Sequence, residues 1–204
     1  MSLTEQPIRD LLKAFSSTDP TPGGGSASAL ASAVGASVLM MVTALPKSRT
    51  GSDQDRTALA NTARSLADIR DGLTGAIDAD TAAYDRVVAA FKLPKASAGE
   101  QSARTAAIQQ ALHGATEVPL GVMRLSAAAL DLSVAVAAHG HRAAASDVGV
   151  AVALLRAGTR GARLNVEINL GSISDMEYAA AVAAEAARVS DGASRAADEA
   201  DALL

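Results

Sequence analysis

An aspartate on an apolar helix face is the first residue in this sequence that asks for a chemical explanation. Leu66, Leu73, Ile77, Asp80, Tyr84, Val87 and Phe91 follow one another at intervals of seven, four, three, four, three and four residues, which is the spacing of a single helical stripe. Asp80 therefore sits among hydrophobic side chains, where loss of water raises the pKa of an acid. A carboxylate so placed is either a general base or a structural charge paired with an Arg or Lys.

Other residues suggest binding rather than proton transfer. Pro22-Gly23-Gly24-Gly25-Ser26 stands directly before an uncharged helical segment. The free N–H groups of Gly24, Gly25 and Ser26 can hold a carboxylate, an oxyanion or the edge of a polar heterocycle at the positive end of that helix. The run lacks the Lys and the spacing of a phosphate-binding loop, and an ordinary flexible turn is the competing reading. Asp147 and Asn165 are eighteen residues apart, a whole number of helical turns, so an unbroken helix presents them on one face. Asn169 follows four residues later, and Ala151, Leu154, Gly158 and Ala162 leave room between them for a ligand or a neighbouring backbone. The competing reading makes Asp147 a helix cap and the asparagines packing hydrogen bonders. Lys95 lies at a helix end, where a solvated charge is the common role. His113, His139 and His141 have no metal-ligand spacing, and cysteine is absent; this argues against zinc, thiolate chemistry and disulfides.

The elements that must position these residues are helices. Hydrophobic residues make up 49% of the 204 and aromatic residues only 2%, so the core is expected from Ala, Val, Leu and Ile in close-packed helices. No linker divides the chain, and one domain over residues 1–204 is expected. Ile8, Leu11, Leu12 and Phe15 mark a first helix, and prolines and glycines end it at residues 20–25. Ser26 to Leu45 is twenty uncharged residues, long enough to span a bilayer, but its Ala, Ser and Gly content favours a buried central or dimer-interface helix. A long helix runs from about Asp53 to Leu93, with possible breaks at Gly72 and Gly75. Another covers Gly99 to Ala138, kinked or divided at Pro119. A penultimate helix starts at Ser146 or Asp147, and Ser174-Asp175-Met176-Glu177 reads as the capping box of the last. The expectation is an all-α antiparallel bundle of about seven helices, paired as a homodimer. A net charge of −4 without basic runs argues against nucleic acid, and the charged first thirteen residues argue against export.

Taken in order, several segments closely resemble the C-terminal domain of formiminotransferase-cyclodeaminase and the stand-alone bacterial methenyltetrahydrofolate cyclohydrolases. They are Pro20-Thr21-Pro22-Gly23-Gly24-Gly25-Ser26, Asp78-Ala79-Asp80 to Tyr84, Phe91-Lys92-Leu93-Pro94-Lys95, Val118-Pro119-Leu120, Ser146-Asp147, Asn165-Val166 and Ile168-Asn169. The family pattern has Gly-Asn before its Ser-Asp, whereas Gly140 here is followed by His141. The resemblance implies a cytoplasmic enzyme without metal or other cofactor, acting on the one-carbon bridge of a tetrahydrofolate. The reaction is either hydrolysis of methenyltetrahydrofolate to formyltetrahydrofolate or cyclisation of formiminotetrahydrofolate with loss of ammonia. A non-catalytic helical folate-binding or interaction protein on the same scaffold is the third reading. In the enzyme readings Asp80 or Asp147 activates water, and Lys95 protonates a nitrogen or pairs with a folate carboxylate. Asn165 and Asn169 hold the pterin edge, Gly24, Gly25 and Ser26 supply donors, and His141 replaces an asparagine.

Overall fold

The structure, a computed structural model, describes residues 2–204. It contains six α-helices: α1 (Ile8–Phe15), α2 (Gly24–Thr43), α3 (Asp53–Phe91), α4 (Ala98–His139), α5 (Ala145–Leu170) and α6 (Met176–Asp201). Short 3-10 turns at Leu3–Glu5 and Arg142–Ala144 precede α1 and α5. Among the described residues there is no β-strand. Helix α2 packs against α3, α4 and α5, while α4 packs against α2, α3, α5 and α6. These two helices form the centre of the bundle.

Capping chemistry sets most of the boundaries. The Ser52 hydroxyl accepts from the Asp55 N–H at the start of α3, and Ser97 and Glu100 form a reciprocal capping box at the start of α4, the arrangement that satisfies two otherwise unpaired N–H groups. At α6 the cap is Asp175, whose carboxylate accepts from the Tyr178 N–H; it replaces the box expected to open at Ser174. Helix α3 passes through Gly72 and Gly75 without a break, and α5 begins at Ala145, one residue before the expected start.

The helix count is six rather than about seven because α4 continues through Pro119. Proline inside a helix removes one i→i−4 hydrogen bond and crowds the carbonyl four residues back, costing about 3 kcal/mol or more. Here the orphaned carbonyl, that of Ala115, accepts a side-chain hydrogen bond from α5 instead. Pro119 itself is buried, and Leu120 and Met123 beside it are among the largest fully buried side chains. Tertiary packing thus keeps together what local propensity would divide.

Helix α2 carries no charge over its twenty residues, and both α2 and α4 are long and apolar enough to cross a membrane by length and composition. In the bundle the buried side of α2 meets α5 at very close range. A Cβ on Gly35 would lie 2.9 Å from the Ala151 carbonyl oxygen, and one on Gly158 would overlap the Ser32 hydroxyl and lie 2.7 Å from the Ser28 carbonyl oxygen. The expected small-residue face of α5 is therefore real, and a neighbouring backbone fills it. Gly158→Ala is expected to destabilise the fold by about 1–3 kcal/mol through overpacking, visible as a lower midpoint in urea unfolding; an unchanged midpoint would show that α2 and α5 separate without penalty.

At the far end of α4, Asp55 closes the loop between α2 and α3. Its carboxylate is 2.8 Å from His139 Nδ1 and accepts from the Thr50 N–H and hydroxyl, each at 2.7 Å. The His139 hydrogen bond, followed by those from Thr50, holds the Asp55 carboxyl well below the usual carboxylate range. A depressed acid stabilises the fold above its unfolded pKa of about 3.9, and that contribution is lost as pH falls below it. Asp55→Asn should flatten the fall in Tm between pH 5 and pH 2; parallel profiles for the two proteins would remove Asp55 from the acid response.

Candidate active site

Gly23 ends the turn before α2 but has no side chain with which to cap it. The acceptor comes from α3. Asp80 Oδ2 accepts from the Ser26 N–H at 2.8 Å and lies 3.2 Å from the Ser26 hydroxyl, which is 2.8 Å from the Ile77 carbonyl oxygen. Ser26 is the third residue of α2, the position whose N–H a capping side chain normally serves. Close approach of the two helices demands glycine, since a Cβ on Gly25 would overlap both Asp80 carboxylate oxygens.

Burial pushes the Asp80 carboxyl above the ordinary range, and the two Ser26 hydrogen bonds offset part of that rise. The reading of an acid on an apolar stripe is correct for the inner half: Leu66, Leu73 and Ile77 are buried. Beyond Asp80 the stripe changes role. Tyr84 and Phe91 are exposed, and Ala83, Tyr84 and Val87 form one wall of a cavity of about 320 Å³.

Four elements meet at this cavity. The Pro20–Gly25 turn and Asp80 close one end, Leu112 and Ala115 of α4 form a second wall, and Asn165, Ile168 and Asn169 of α5 form a third. Asn165 Nδ2 donates to the Gly161 carbonyl at 2.9 Å, and Asn169 Nδ2 donates to the Ala115 carbonyl at 2.8 Å. With each amide nitrogen so engaged, both Oδ1 atoms remain as acceptors, and neither accepts a bond from the described residues. Gly24 is close to this pair, since a Cβ there would lie 3.5 Å from Asn165 Nδ2. The cavity offers a carboxylate, amide oxygens and the N–H groups of Gly24 and Gly25. The oxygens suit N–H donors and positive charge, and the two N–H groups suit an acceptor on the same ligand.

Asp80, Gly24, Gly25, Asn165 and Asn169 are thus brought together at the cavity. Ser26, expected to offer a donor to the ligand, is instead fully buried behind them with its N–H given to Asp80. The remaining sequence candidates lie elsewhere. Asp147 lies in the first turn of α5, eighteen residues and roughly 27 Å of helix from Asn165, so the two share a face without sharing a cavity. His141 caps the 3-10 turn before α5, where its Nδ1 accepts from the Ala143 N–H at 3.3 Å. Lys95 is exposed in the α3–α4 turn. The other histidines have structural partners: His113 stacks on Tyr178 at 4.0 Å and His139 bonds Asp55. Thr21, Leu112, Ala115 and Ile168 also line the cavity. Sequence reading missed their place there, and only the matched segments around Thr21 and Ile168 could have hinted at two of them.

Residues 7–188 match the sequence family described as formiminotransferase-cyclodeaminase. The chain belongs to this family. It is 38% identical over 172 residues to a methenyltetrahydrofolate cyclohydrolase from Methylorubrum extorquens, covering 84% of this chain and 83% of that one. It is also 32% identical over 177 residues to a formimidoyltransferase-cyclodeaminase from Gallus gallus, of which it spans only 32%. The fold agrees with a crystal structure of formiminotetrahydrofolate cyclodeaminase from Thermotoga maritima, at a TM-score of 0.88 and 23% identity over 100% of this chain and 98% of that one. Within the family, the ordered segments recognised in the sequence coincide with the walls of the cavity at Pro20–Gly25, Asp80–Tyr84, Asn165 and Ile168-Asn169.

Proposed function

We propose that the cavity hydrolyses methenyltetrahydrofolate to formyltetrahydrofolate. The observation that carries this reading is the half-buried Asp80 carboxylate, its pKa raised by loss of water, in one cavity with two asparagines whose amide oxygens accept no bond from the described residues. The methenyl bridge is an electrophilic, amidinium-like carbon between two nitrogens. Asp80 attracts that cation and, once ionised, takes a proton from the attacking water. Water adds to the bridge carbon, the tetrahedral adduct opens one C–N bond, and the nitrogen released gains a proton as the formyl group forms. Asn165 and Asn169 accept from N–H groups of the pterin, while Gly24 and Gly25 donate to its carbonyl edge. Lys95, in the turn at the tip of the α3–α4 hairpin, suits a folate carboxylate better than a proton at the bridge.

The likeness to a full-coverage cyclohydrolase supports hydrolysis over ammonia release. The test is absorbance decay of methenyltetrahydrofolate with purified protein against a buffer blank. Acceleration with formation of formyltetrahydrofolate is expected; no acceleration, with ammonia released from formiminotetrahydrofolate, would transfer the site to the cyclodeaminase reaction. Folate binding without either conversion would leave a binding protein.

A homodimer in the cytoplasm completes the reading. Helices α1, α2 and α5 expose Ile8, Leu12, Val34, Met41, Val150 and Leu164, apolar side chains that a second copy would cover. Sedimentation equilibrium should give twice the chain mass; a monomer at micromolar concentration would overturn the pairing.

A further inference from the structure

Pro119 occupies a position in α4 where every helical rule disfavours it, and the group it leaves unpaired lies at the cavity. In a regular helix the N–H of residue 119 would donate to the carbonyl of Ala115. Proline has no N–H, and a half-buried carbonyl needs another donor. That donor is Asn169 Nδ2, 2.8 Å away across the α4–α5 interface and fifty-four residues distant in sequence. Both Ala115 and Asn169 line the cavity, whereas Pro119 does not.

The choice of donor decides which end of the Asn169 amide a ligand meets. A carbonyl oxygen accepts only from the NH2 group, so the bond to Ala115 fixes the amide with Oδ1 away from α4. Were residue 119 to carry an N–H, the Ala115 carbonyl would have a helical donor and no need of a second, so the bond that holds the Asn169 amide would weaken and the side chain would be freer to leave this orientation. Asn165 needs no such device, because its Nδ2 bonds Gly161 four residues back in its own helix. Asn169 instead reaches out to α4, and its orientation depends on a vacancy in another helix's bonding pattern.

We propose that Pro119 is a positioning residue: by withholding one backbone N–H it reserves the Ala115 carbonyl for Asn169, which then presents an acceptor to N–H donors of the bound heterocycle. The identity of that heterocycle rests on the folate reading above; the coupling of Pro119 to Asn169 does not.

Pro119→Ala separates this role from packing. Alanine is the better helix former, so Tm is expected to hold or rise while ligand recognition weakens. In the ligand-free protein, NMR should show the Asn169 side-chain NH2 protected from exchange, and that protection should fall in P119A. KM for methenyltetrahydrofolate should rise about three- to tenfold, the worth of one neutral hydrogen bond, with kcat changing less. N169A should show a similar rise, and the double variant should be no worse than N169A alone. Unchanged amide protection in P119A, or additive effects in the double variant, would overturn the assignment. A P119A chain that fails to fold would overturn it too, since only a packing role would make the ring indispensable. If the unaltered protein neither binds nor converts methenyltetrahydrofolate, the folate reading fails by itself, and the amide protection still decides the Pro119–Asn169 coupling.

Discussion

Asp80→Asn is expected to lower kcat for methenyltetrahydrofolate hydrolysis by at least about 10²-fold, the usual contribution of a general base, while Tm stays level or rises. The two halves of that expectation share one cause. Burial raises the Asp80 carboxyl above its ordinary range, so the folded protein holds the acid's proton more tightly than the unfolded chain does. Stability from this group is therefore gained as pH falls toward the unfolded value of about 3.9 and is lost as pH rises through the higher folded value. At neutral pH the ionised carboxylate works against the fold, and an amide removes that charge. The amide oxygen of Asn can still accept from Ser26, which caps α2. The acid limb of kcat/KM should fall above pH 3.9 in the unaltered enzyme and be missing from D80N. A decrease below tenfold would move the base elsewhere, and a lower Tm would assign Asp80 chiefly to capping.

Gly25→Ala should abolish most activity without any change in a chemical group. The added methyl would occupy the space of the Asp80 carboxylate, so either the carboxylate turns away from Ser26 or α2 and α3 move apart. Both displace the Asp80 carboxylate from the cavity, and for the proposed base a misplacement of about 1 Å is enough for a roughly 10²-fold loss. Gly75→Ala provides the control. A Cβ at Gly75 meets nothing within 4 Å, and alanine is favoured over glycine inside a helix by about 0.5–1 kcal/mol. Side-by-side kcat and Tm measurements should show G25A inactive and G75A active with a higher Tm. Wild-type kcat in G25A would mean that the contact between Gly25 and Asp80 is not needed for turnover.

These two positions also show how much of the site was readable in advance. Asp80 was conspicuous because it interrupts a hydrophobic period, and a glycine run before a helix was conspicuous by composition. That the two touch was not readable. Gly23 provides no side chain, so the cap of α2 had to come from another helix fifty-four residues away, and a contact at that separation leaves no periodic trace. Asp147 illustrates the opposite failure. Helical period correctly placed it on the face of Asn165, yet period says nothing about distance along the axis, and five turns carry it to the other end of the bundle.

Pro119 is the most instructive disagreement. Local rules divide α4 there, since proline lacks the N–H and crowds the preceding turn. The helix persists because α4 lies at the centre of the bundle, with Leu120, Met123 and Leu130 fully buried and a side chain from α5 satisfying the freed carbonyl.

By itself the sequence determined the all-α class, most helix boundaries and the family, because periodicity, caps, breakers and ordered motifs are local properties of the chain. Only the tertiary structure decided which candidates share a cavity, which glycines admit a close approach and which amide nitrogens are engaged, leaving their oxygens without a donor. Those depend on contacts between helices distant in sequence, whose geometry is fixed by packing small residues face to face rather than by any residue's own preference.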